Sequence, residues 1–143
     1  MRFWDSSALI PLFVLGEHSH LVEALVGEDP EMIVWSAGPV ECASAVHRRR
    51  REGVLTAAAA AEVLATLTAA LDAANVVRPG DALRARALRL LGVHAFRAAD
   101  ALQLAAALLW AREMPAGRDF VCLADRLRTA AILEGFRVLP VDL

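Results

Sequence analysis

The chain has 143 residues, 57% of them apolar and 22% charged, enough for one domain with its own core. Its net charge of −2 excludes a global attraction to nucleic acid, so any such contact needs a local basic patch. Uncharged runs such as Ala101–Ala111 fall well short of the roughly 20 residues a bilayer span needs, and Asp5 interrupts the N-terminus before a signal-peptide core forms, so a soluble, cytoplasmic protein without membrane contact is expected.

Strand-like and helix-like segments alternate along residues 1–143, read as a single domain. Arg2–Asp5 is a short strand leading into a helix over Ser7–Val14, where Pro11 is tolerable only near the first turn. A second short helix covers His18–Val26. The β-branched and aromatic run Met32–Trp35 predicts a buried strand. Ser36-Ala37-Gly38-Pro39 opens the next helix and Gly53 closes it. Thr56 caps an alanine-rich helix reaching about Ala74, and Val76-Val77 makes a brief strand. Asp81–Leu91 is helical, and Ala98–Glu113 is apolar almost all round, hence a helix buried on most faces. Phe120–Leu123 is a strand, Arg126–Leu133 a helix stopped by Gly135, and Arg137–Leu139 a last strand. Short strands alternating with helices predict an α/β three-layer sandwich, a central parallel sheet flanked by helices.

Cys42 and Cys122 fall in predicted buried segments without paired spacing, so reduced core thiols are expected. Trp4, Trp35 and Trp110 read as packing residues. His18, His20, His47 and His94 are too scattered for a zinc site. Arg48-Arg49-Arg50-Arg51 fan out by about 100° each, so they suit the dipole of a helix C-terminus better than a single binding stripe, with the alternative that one or two of them reach a phosphate. Arg97 lies closer to the expected cleft, where it would bind a substrate or balance acids.

Asp5, Glu41, Asp100 and Asp125 each fall where a strand ends or a helix begins, among apolar neighbours. An uncompensated carboxylate in such surroundings costs several kcal/mol. All fifteen basic residues are arginine, so lysine cannot be the partner. A hard divalent cation held by oxygen ligands is the alternative. In an open parallel sheet ligands sit at the carboxyl edge of the strands. Asp5 and Asp125 follow strands, Glu41 lies a turn into its helix, and Asp100 begins a helix whose N-terminus returns to that edge in a right-handed crossover. Each acid alone also reads as a helix cap or a dipole partner. Together at one edge they point to Mg²⁺ or Mn²⁺ and a metal-assisted hydrolysis.

The ordered motifs resemble those of PIN-domain ribonucleases, most closely the VapC-type toxins of toxin–antitoxin pairs. Phe3-Trp4-Asp5-Ser6-Ser7 is similar to the family's opening, and Ser36 with Glu41 and a basic helix end to its second motif. Ala98-Ala99-Asp100-Ala101-Leu102-Gln103-Leu104-Ala105 is the strongest match, and Phe120–Leu127 with Ala131 and Gly135 resembles the last motif. The resemblance covers essentially the whole chain. It implies Asp5, Glu41 and Asp100 as metal ligands, Asp125 or the nearby Asp119 as the fourth acid, and Ser7 as a positioning group in the catalytic site. It also implies endonucleolytic cleavage of an RNA substrate, a homodimer, and a small antitoxin protein that blocks the cleft.

Lysine-dependent phosphatases and receiver domains are excluded by the absence of lysine, and a P-loop by the absence of Gly-Lys-Ser. The remaining alternative is a catalytically inactive PIN-like module that binds RNA or protein.

Overall fold

A computed structural model describes Met1–Leu143. The five strands are β1 (Arg2–Trp4), β2 (Met32–Trp35), β3 (Asn75–Val77), β4 (Asp119–Val121) and β5 (Arg137–Leu139). All pair in parallel, in the order β3-β2-β1-β4-β5. Seven helices connect them: α1 (Ser6–Leu9), α2 (Ser19–Glu28), α3 (Gly38–Arg51), α4 (Ala57–Asp72), α5 (Asp81–Leu91), α6 (Ala98–Trp110) and α7 (Asp125–Leu133).

Side chains alternate across a strand, so each strand feeds two separate cores. Phe3, Ile33, Trp35, Phe120 and Val138 meet Leu83, Leu90, Leu104, Leu108 and Leu127 from α5, α6 and α7. Trp4, Val34 and Val121 meet Leu9, Val22, Val46 and Leu67 from the α1–α4 side. The result is the expected three-layer α/β sandwich. Both faces of a short strand are apolar because both are covered. No helix is long and apolar enough to cross a membrane.

Strands β1 and β4 and helix α4 end one or two residues earlier than the sequence predicts, and two helices end earlier still. The first helix stops at Leu9 and tightens into a 3₁₀ turn over Ile10–Leu12, because Pro11 has no N–H for an α-helical bond and its ring crowds the preceding turn. α6 ends at Trp110 rather than at Glu113, since Arg112 and Glu113 both take left-handed backbone angles, with φ of 53° and 57°. Trp4 and Trp35 are core residues as expected, while Trp110 is partly buried with the Arg118 guanidinium 5.5 Å from its ring centre. Both cysteines are buried and unpaired with each other.

The strand order runs one way from β1 to β3 and the other way from β4 to β5. The crossovers therefore change sides between β1 and β4, which opens a crevice at the carboxyl ends of those two strands. Asp5 lies directly on it.

Candidate functional site

The site is built around the residue after β1. Asp5 is 4% exposed and caps α1, its Oδ2 accepting the Ser7 backbone N–H at 2.9 Å and the Ser7 hydroxyl. The Cys122 thiol, just past β4, lies 3.6 Å from the same oxygen. Burial pushes the Asp5 carboxyl up to about 6; the Ser7 bonds pull it back and the negative charge of Glu41 adds to the rise. Ser7 also accepts the Leu123 N–H at 2.9 Å, tying the end of β1 to the segment after β4.

Glu41 stands in the first turn of α3. Its Oε2 accepts the Ser6 hydroxyl at 2.7 Å and the Gln103 amide at 2.9 Å, and Gln103 Nε2 also reaches Ser6 Oγ at 2.8 Å. Gln103 is fully buried, and its Oε1 has no partner. Asp100 lies one turn before Gln103 on the same face of α6. Its Oδ2 accepts the Arg97 backbone N–H at 3.2 Å, capping the helix. Asp5 is thus held by Ser7, Glu41 by Ser6 and Gln103, and Asp100 by the Arg97 backbone, all through neutral donors.

The fourth acid is decided by the strand direction. Asp119 begins β4, at the opposite end of the sheet from Asp5. There it accepts from Arg2 Nε at 3.1 Å and from Arg137 at 2.5 and 2.9 Å. Burial alone would raise its carboxyl, but Arg137 and Arg2 hold it below the usual range. Asp125 opens α7 on the Asp5 edge, exposed and without a side-chain bond, with Ala124 as the N-cap. Of the two, only Asp125 shares the edge of the other three acids.

None of Asp5, Glu41, Asp100 and Asp125 forms an ion pair, whereas Arg2, Arg84, Arg86 and Arg137 all bind acids elsewhere. No three His, Cys, Asp or Glu side chains form a group able to hold a metal ion. The four acids are on one edge, Asp5, Glu41 and Asp100 each committed to local donors and Asp125 to none, and are not a closed cage. That donor set suits Mg²⁺, which takes one or two carboxylates and keeps several waters and substrate oxygens, and it suits poorly a metal needing an all-protein shell.

An open pocket of about 340 Å³ adjoins Glu41, the one acid of the four in its wall, with Ser6, Ser7, Ile10, Ser44, Ala45, Arg48 and Arg49 as the other lining residues. Ser6 and Gln103 are site residues that sequence reasoning missed, while Arg48 and Arg49 were read chiefly as partners of the helix dipole. Gln103 carried a signal, being the only polar side chain between Asp100 and Trp110. Arg97, expected near the cleft, is exposed at the N-cap of α6 and pairs with no acid.

No protein-family model matches the chain, and no curated protein matches it.

Proposed function

We propose that the chain is a metal-dependent endoribonuclease of the PIN-domain kind, acting with Mg²⁺ or Mn²⁺ as the toxin of a toxin–antitoxin pair. The observation that carries this reading is Asp5: a buried carboxylate at the strand-order reversal, beside Glu41 and with no cation of its own. Asp5 and Glu41 would hold the ion, with Asp100 and the outlying Asp125 completing its surroundings. A bound divalent ion would polarise a phosphoryl oxygen and lower the pKa of water. Ser7 fixes the rotamer of Asp5, and Ser6 with Gln103 fixes that of Glu41, leaving each acid's second oxygen without a protein donor. Exposed Asp125 is free to approach a substrate.

The order of the motifs along the chain supports the family reading, and exposed apolar side chains such as Val40, Val93 and Leu133 support a covered surface in a homodimer or an antitoxin complex. The second reading, a PIN-like module that binds without cutting, is favoured by the lack of a preassembled three-ligand group.

The test is cleavage of a mixed structured-RNA pool by the purified chain with Mn²⁺, against EDTA and Asp100→Asn. Metal-dependent cuts lost in the variant are expected. Equal cleavage by wild type and variant would sink the site assignment, and absence of both cleavage and Mn²⁺ binding would leave the binding module.

A further inference from the structure

The four consecutive arginines at the end of α3 are unequal in the fold. No carboxylate pairs with any of them. Arg48 and Arg49 line the pocket that holds Ser6, Ser7, Ser44 and Glu41, while Arg50 and Arg51 do not. The reason is helical periodicity: residues 41, 44, 45, 48 and 49 recur on one face of α3, and α1 supplies the facing wall. Arg48 begins about 10 Å along the axis from Glu41. Long helical side chains lean toward the N-terminus, a tendency that favours placing both side chains along the pocket wall on the Glu41 side.

We infer that this pocket is a phosphate seat for the RNA strand, with Arg48 and Arg49 as its cations and the hydroxyl of Ser44 as a further donor. The inference rests on the nuclease reading and adds to it the part of the site that holds the substrate. Two unpaired guanidinium forks beside one free hydroxyl match a phosphodiester's oxygens. Glu41, at the other end of the same pocket, repels a phosphate unless a cation lies between them. The seat therefore holds a phosphate neighbouring the one presented to the acids, and orients the strand across Asp5. It also explains how a chain of net charge −2 engages a polyanion: the attraction is local and sits beside the chemistry.

The experiment measures binding of a short fluorescent single-stranded RNA to the full chain in EDTA, where no cleavage occurs, between about 50 and 200 mM salt. Arg48→Ala/Arg49→Ala is compared with Arg50→Ala/Arg51→Ala, which removes equal charge from the same helix. The first pair is expected to weaken binding about tenfold and to lower the salt slope by about 1.4, roughly 0.7 for each lost phosphate contact. The second pair is expected to leave the slope unchanged. Equal losses in both pairs, or none in either, would overturn the seat in favour of diffuse charge or another surface. Wild-type protein that ignores RNA but binds a polyglutamate peptide through Arg48 and Arg49 would overturn it in favour of an acidic protein partner. Metal-dependent cleavage of the same RNA is scored separately: an Arg48/Arg49 variant that keeps its Mn²⁺-induced thermal stabilisation separates failure of the seat from failure of the nuclease.

Discussion

Gln103, buried in the middle of α6, places its amide 2.9 Å from the Glu41 carboxylate on α3, and the two share the Ser6 hydroxyl of α1. Three helices from opposite faces of the sheet are joined at this point. Burying an amide is costly unless it is hydrogen-bonded, and here one oxygen is left unbonded, so the residue is a poor choice for stability alone. Its effect is to hold one Glu41 oxygen in place. Gln103→Leu, of similar volume, is expected to change stability by no more than about 1 kcal/mol, because it removes an orphan acceptor together with the donor. Mn²⁺ affinity or cleavage is expected to fall roughly 10- to 100-fold, as for other supports of metal ligands. Titrating Mn²⁺ against both proteins, alongside a melting curve, checks the pair of outcomes.

Asp5 makes stability depend on pH in an unusual direction. Its carboxyl is raised from 3.8 to about 6 in the folded chain, so the folded state binds this proton more tightly than the unfolded one. The metal-free chain should therefore lose stability as pH rises from about 4 to about 6, by roughly 3 kcal/mol, and stay level above that. Asp5→Asn removes this dependence. It is expected to be more stable than wild type at pH 7, with the gain vanishing near pH 4, and to lose the stabilisation that Mn²⁺ confers on wild type. Denaturation midpoints across that range, with and without Mn²⁺, read both effects.

Ser7 opposes the rise at Asp5 and bridges to Leu123. Ser7→Ala is expected to cost about 1–2 kcal/mol, since the Leu123 N–H loses its partner. It should also move the acid limb of the cleavage profile to higher pH, because the ionised Asp5 loses a donor. A cleavage profile with an unmoved acid limb would mean that Ser7 does not act through Asp5.

Asp119 offers the contrast. With Arg2 nearly buried beside it, Asp119→Ala is expected to destabilise by about 1–3 kcal/mol, because the Arg2 Nε–H loses its acceptor and Arg2 keeps only the exposed Glu28 as a carboxylate partner. Metal-dependent cleavage of the folded fraction should remain at the wild-type rate. Asp125→Ala should show the reverse, with a normal melting temperature and reduced cleavage. A loss of activity in the Asp119 variant at full folding would reassign the fourth acid.

Much of the fold was legible in the chain because the signals are local. Met32–Trp35 and Asp81–Leu91 appear with the expected bounds, and Thr56 caps α4 through the Ala59 N–H. Errors fell where a single residue's backbone decides: Pro11 shortened α1, and left-handed Arg112 and Glu113 shortened α6. Asp5, Glu41, Asp100 and Asp125 could be placed on one edge because strand direction and right-handed crossovers follow from element order.

By itself, then, the amino-acid sequence determined the layers, the parallel sheet and the edge on which the acids stand, since periodicity and turn chemistry act over a few residues. Only the tertiary structure decided which groups meet there. That Gln103 clamps Glu41, that Ser7 joins β1 to Leu123, that Asp119 belongs to Arg2 and Arg137, and that Arg48 and Arg49 share a pocket while Arg50 and Arg51 do not all depend on contacts between distant segments. Such contacts are set by how helices pack on the two faces of the sheet, and no local pattern encodes that packing.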